Sequence, residues 1–211
     1  MVEFWNEMLT QESWEKLVEL SKKYKFIVIG GWAAYLWTRA HKSKDIDIVV
    51  GYDELLRLKS DFRLEKNERM GKYEIKLDKF DIDIYLPSFS NLPVPLEGLG
   101  KLCTKIEGIE VPKPEALLIL KQGAEIGRRG SIKAKKDAID ILSLLIHAPF
   151  SWEEYGKLCK KFLHANYPQE LLYVIRNFDE KDLHYLWVEF VKFKKLKKRW
   201  AGEIREIRKK A

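Results

Sequence analysis

The chain has 211 residues, 46% of them hydrophobic and 34% charged, and a formal net charge of +7. That apolar share supports a genuine core, yet no apolar run approaches the roughly 18–20 residues needed to cross a bilayer, which excludes a helical membrane span. The charge is unevenly placed: Lys192–Ala211 holds ten Lys or Arg against two Glu, whereas the remainder has 29 basic and 30 acidic residues. Such a block either attracts phosphate backbones or forms a solvated helix face.

Taken in order, Thr10-Gln11-Glu12-Ser13 reads as a helix start, followed by Trp14, Leu17, Val18 and Tyr24 near helical spacing. Phe26–Ile29 reads as a buried strand that breaks at Gly30-Gly31, and Trp32–Ala40 as a helix. Asp45–Val50 alternates acid and aliphatic as a strand does. Gly51 ends it, and Asp53 is placed to cap a helix reaching about Ser60. Lys72–Leu77 and Phe80–Leu86 predict an antiparallel hairpin joined at Asp78-Lys79.

Residues 87–100, with Pro87, Pro93, Pro95, Gly98 and Gly100, read as a loop. A short strand pair is expected at Thr104–Ile106 and Ile109–Val111. Beyond Pro112 and Pro114 the pattern predicts helices at 115–124, 132–147, 152–164, 168–177 and 180–200. The fold class is therefore α+β: a small palm-like mixed sheet with flanking helices over 1–112, then a helical region over 113–211 ending in a basic helix.

The chemistry concentrates in the first half. Asp45 and Asp47 share one strand face, as do Asp81 and Asp83. Gathering so much negative charge beside an apolar core is costly unless something positive is held there, and a divalent metal with a phosphate-bearing substrate is the economical choice. Gly30 and Gly31 let backbone approach a ligand closely, and the following helix presents free N–H groups to an anion.

The order Ile29-Gly30-Gly31, a thirteen-residue gap, Asp45-Ile46-Asp47 and a later lone acid resembles the nucleotidyltransferase superfamily that shares the DNA polymerase beta palm. Ser43, two residues before the first aspartate, suits the same pattern. The resemblance covers residues 26–86. It implies two Mg2+ ions (or Mn2+) with Asp45 and Asp47 as ligands, and phosphates of a nucleoside triphosphate such as ATP near Gly30, Gly31 and Ser43. The third carboxylate, metal ligand and proton acceptor, is Asp83 or Asp81, with Asp83 favoured because Pro87 follows.

A looser resemblance over 111–146 is to the segment after the palm in abortive-infection type toxins of the minimal nucleotidyltransferase kind. It implies phosphate contact by Lys121 and an orienting or binding role for Asp137. The activity expected is transfer of a nucleoside monophosphate to an acceptor hydroxyl, with the tRNA 3′ end as one acceptor, reached through the basic tail, and a cognate antitoxin as a partner in a toxin–antitoxin pair. The alternatives are a non-catalytic nucleotide- or RNA-binding module, or transfer to a small molecule or protein hydroxyl. Cys103 and Cys159, far apart and without ligand spacing, point to free thiols of a soluble cytoplasmic protein. His41, His147, His164 and His184 share no ligand spacing and read as surface or core residues.

Overall fold

Alternation along the aspartate segments sets the sheet. In the computed structural model, which describes residues 7–210, Ile46–Val49 (β2) and Asp81–Tyr85 (β5) run parallel, with Ile46 opposite Ile82, Asp47 opposite Asp83 and Ile48 opposite Ile84. Side chains on adjacent strands in register share a face, so one face is aliphatic and the other acidic. On the aliphatic face Ile46, Ile48, Ile75, Ile82 and Ile84 are at most 2% exposed.

The order of the seven-stranded mixed sheet follows from three further pairings. Ile27–Ile29 (β1) is antiparallel to β2, and Lys72–Lys76 (β4) is antiparallel to β5 through a four-residue connection. Glu65–Asn67 (β3) lies on the outer edge of β4. Cys103–Ile106 (β6) and Ile109–Pro112 (β7) form a hairpin that joins β1 on the other side, giving β3-β4-β5-β2-β1-β7-β6.

Three helices complete this first compact unit, Met1–Lys113: Glu7–Lys23 (α1), Gly30–Thr38 (α2) and Tyr52–Asp61 (α3). Helix α2 packs on β1 and β2. Its Trp32 is fully buried and donates to Ser13 Oγ at 2.9 Å, while Trp37 donates to the Pro112 carbonyl at 2.8 Å. The second unit, Pro114–Ala211, is helical: Pro114–Gly127 (α4), Ile132–His147 (α5), Trp152–Lys161 (α6), Tyr167–Asn177 (α7) and Phe190–Lys210 (α8). Its core holds Tyr155, Phe193 and Trp200; the Tyr155 hydroxyl donates to Gln122 Oε1 at 2.7 Å.

Several local expectations are corrected. Gly30 and Gly31 open α2 directly instead of forming a separate turn, and α3 begins at Tyr52 with Gly51 at its N-cap, so Asp53 lies in the first turn. The supposed loop contains a 3-10 helix, Leu96–Leu102, because Leu96 and Leu99 are drawn into the core. The single helix expected over 180–200 is two: a 3-10 helix, Glu180–Leu186, ends at Trp187 in the left-handed conformation (φ 50°), and α8 continues well past 200. Among the described residues no helix is long and apolar enough to cross a membrane, and Cys103 and Cys159 are free thiols.

Candidate active site

Register builds the site. Glu74 on β4, Asp83 on β5, Asp47 on β2 and Ile29 on β1 form one row across four strands, all on the face opposite the aliphatic core. Asp81 and Lys76 form the next row, and Asp45, one residue before β2, accepts a hydrogen bond from the Asp81 amide at 3.4 Å. The Tyr85 hydroxyl donates to Asp47 Oδ1 at 3.4 Å. The acidic face therefore carries five carboxylates, from Asp45, Asp47, Glu74, Asp81 and Asp83.

The chain crosses from β1 into α2 at the edge of this row. Gly30 has φ +67°, a region that side chains disfavour, and a Cβ there would overlap the Asp47 carboxylate. A Cβ on Gly31 would lie 2.6 Å from Ser43 Oγ. Both glycines are thus required by the packing of Asp47 and Ser43 against their backbone. The N-cap residue of α2, Ile29, makes no side-chain capping bond, and the Asp47 carboxylate and Ser43 hydroxyl lie beside the first residues of the helix. Gly30 is brought against Asp47 and Gly31 against Ser43, with Asp83 directly beside Asp47.

One residue here lay outside the sequence reading. Lys72 Nζ is 2.6 Å from Asp83 Oδ2 and 2.9 Å from Glu74 Oε1, in a setting where all three side chains are at least four-fifths buried. Burial disfavours the Lys72 ammonium, but Asp83 and Glu74 outweigh it and hold its pKa above the ordinary lysine value. Burial also pushes Asp83 above the usual aspartate value; Lys72 opposes this shift, and the charges of Glu74 and Asp45 add to it. The two upward shifts are compatible, because one cation is shared among several acids. The signal for Lys72 was present in the hairpin: its short turn at Asp78-Lys79 places Glu74 opposite Asp83, and Lys72 one diagonal away on the same face.

The donor set is all carboxylate oxygen, which suits Mg2+. That ion is commonly held by one or two carboxylates plus substrate phosphates and water, not by a closed protein cage. Asp45 and Asp47 meet that description. Asp83 is engaged by Lys72, and among the described residues no three His, Cys, Asp or Glu side chains converge as a group that could hold a metal ion.

Lys121 and Asp137 lie in the helical unit, on α4 and α5. Lys121 Nζ is 2.6 Å from Asp140 Oδ2, an ion pair outside hydrogen-bond alignment, and 3.4 Å from Asp137 Oδ1. Arg128 contacts Asp137 Oδ2 at 2.6 Å. Lys121, Asp137 and Asp140 are buried, at 6%, 1% and 3% exposed. Two cations and two anions balance within this cluster.

No family model matches the chain, and no curated protein matches it. Among solved structures, the chain is similar to the crystal structure of JHP933 from Helicobacter pylori, with a TM-score of 0.50 and 16% identity over 97% of this chain and 94% of that one. It is also similar to the crystal structure of an antigenic nucleotidyltransferase-like protein from Paracoccidioides brasiliensis, with a TM-score of 0.46 and 20% identity over 86% of this chain and 93% of that one. At such identities the likeness to JHP933 is one of fold.

Proposed function

We propose that the chain is a nucleotidyltransferase whose acidic sheet face and α2 N-terminus bind a nucleoside triphosphate and move its nucleoside monophosphate to an acceptor hydroxyl. The observation that carries this reading is the pairing of Asp47 with Asp83 on adjacent parallel strands, beside a glycine whose missing side chain makes room for the Asp47 carboxylate. Mg2+ held by Asp45 and Asp47 would supply charge neutralisation for the phosphates. The chain's own groups supply the rest. The α2 amides and the Gly30-Gly31 backbone receive a phosphate oxygen, and Ser43 is placed to donate to one. Asp83 accepts the proton of the attacking hydroxyl. Its raised pKa makes it a better base than an ordinary aspartate, and Asp83 is favoured over Asp81 because it sits opposite Asp47. The bond from the acceptor oxygen to the α-phosphorus forms as the bond to pyrophosphate breaks.

An RNA 3′ end, that of tRNA among them, is the acceptor favoured by the concentration of positive charge after Lys192. Incubation with total tRNA and α-labelled nucleotides in Mg2+ should label RNA and release pyrophosphate, and Asp45→Ala should do neither. Nucleotide binding indifferent both to Mg2+ and to Asp45→Ala would defeat the reading. A second reading, nucleotide binding without transfer, is favoured by one observation: Lys72 already neutralises Asp83. Triphosphate binding without pyrophosphate release would select it.

A further inference from the structure

The outward face of α8 and the aromatic residues that precede it carry features the transfer site does not use. Phe193, Trp200 and Ile204 are buried at no more than 1% exposure and fix which side of α8 docks within the helical unit. At 100° per residue the opposite side carries Val191, Lys194, Lys195, Lys198, Arg205 and Lys209, with Gly202 between them. The stripe runs for about 27 Å at 1.5 Å per residue. Glu206 lies within it and pairs with Lys209 at 2.7 Å; Glu203 lies further round.

On α6 the exposed Lys157 is matched by acids one turn away, Glu153 and Glu154. The upper part of the α8 stripe has no acid at those positions.

Large apolar groups crowd its N-terminal end. Trp187 is 67% exposed, Phe190 41% and Val191 63%, and Lys194 Nζ lies 4.1 Å from the Phe190 ring centroid. Trp187 holds a left-handed backbone (φ 50°), a conformation that non-glycine residues disfavour, and it ends the preceding 3-10 helix.

We propose that this surface is a platform for single-stranded nucleic acid, with the α8 stripe on the phosphates and Trp187 and Phe190 as stacking faces for bases. The charge calls for a polyanion, and exposed rings at one end call for a polyanion with flat apolar groups between its charges. An anionic membrane fits less well, because the apolar side of α8 is buried within its own unit and cannot insert along its length. The inference names an acceptor class for the proposed transferase, yet binding here requires no transfer chemistry.

The test uses the full chain carrying Asp45→Ala, in EDTA, with fluorescence anisotropy of a short labelled poly(U) strand across a salt series. Binding should weaken with salt. The triple variant Lys194→Gln, Lys195→Gln, Lys198→Gln should reduce the slope of log K against log salt by about 2, at about 0.7 per phosphate contact for single strands. Trp187→Ala should weaken binding about tenfold and leave that slope unchanged. All four positions are exposed, and unchanged melting temperatures would show the variants folded. The inference is overturned if poly(U) binding ignores both variants, if polyglutamate binds as tightly and ignores Trp187→Ala, or if phosphatidylserine vesicles capture the protein while poly(U) does not. Because catalysis is disabled throughout, loss of label transfer would bear on the active site alone.

Discussion

Two clusters in this molecule set lysine against aspartate, and they differ in balance. On the sheet, the carboxylates of Asp45, just before β2, and of Asp47, Glu74, Asp81 and Asp83 face two ammonium groups, Lys72 and Lys76, and Lys76 is largely exposed. Between α4 and α5, buried Lys121 and the part-exposed Arg128 meet buried Asp137 and Asp140 one for one. A buried, balanced cluster is costly to assemble and costly to disrupt, and it has no charge left over for a ligand. The acidic face keeps a surplus of negative charge at partial exposure, where a cation can still enter. The two clusters thus differ in what is left over: net negative charge on the sheet and none between the helices.

The largest effect should come from breaking the balanced cluster. Lys121→Met leaves Asp137 and Asp140 short of a buried cation and should cost about 3–5 kcal/mol in urea unfolding. Removing charge from the open face should act on rate instead. Asp47→Asn should lower label transfer by about 10²–10³-fold, with a urea midpoint close to that of the unaltered chain. Gly30→Ala joins the two kinds of effect: a left-handed φ and overlap with Asp47 should cost about 1–3 kcal/mol, read by the same unfolding titration, and displace the Asp47 carboxylate.

Lys72→Met sharpens the contrast from the other side. With its internal cation gone, the acidic face should bind Mn2+ about fivefold more tightly, the equivalent of a part-exposed ion pair of ~1 kcal/mol, as read by calorimetry without nucleotide. Weaker Mn2+ binding in this variant would show that Lys72 organises the carboxylates and does not compete for them.

The smallest effect concerns the thiols. Burial pushes Cys159 up to about 11 and Cys103 up to about 12. Since these values lie above that of an unfolded cysteine, the stability tied to the neutral thiols is present below about pH 9 and is lost as pH rises towards the folded values. At pH 8 the thiolate fraction of Cys159 is about one in a thousand, so iodoacetamide should label the native protein slowly and the urea-unfolded protein rapidly.

How much of this was legible before folding depends on how locally each feature is encoded. Alternation in Asp45–Val50 and Phe80–Leu86 was enough to place the aspartates on one face, since period-two geometry belongs to the strand itself. The Gly30-Gly31 signal was equally local, although its reason was not: Asp47 and Ser43 fill the volume that a side chain would occupy. Glu65–Asn67 was invisible because an all-polar edge strand has no apolar face to alternate, and backbone pairing with β4 alone makes it a strand. The break at Trp187 was hidden because the helical spacing of apolar residues continues across it, while Leu186 before it and Phe193 after it are both fully buried.

The sequence by itself determined the α+β class, the acidic strands, the glycine junction and the basic terminal helix, because each is written within a few consecutive residues. Tertiary structure decided the rest: that Asp83 stands opposite Asp47, that Lys72 and not solvent faces Asp83, and that Lys121 is a buried counter-ion of Asp137 and Asp140. These are choices of partner between distant segments. Partners are selected by register and burial, which exist only after the strands and helices have packed.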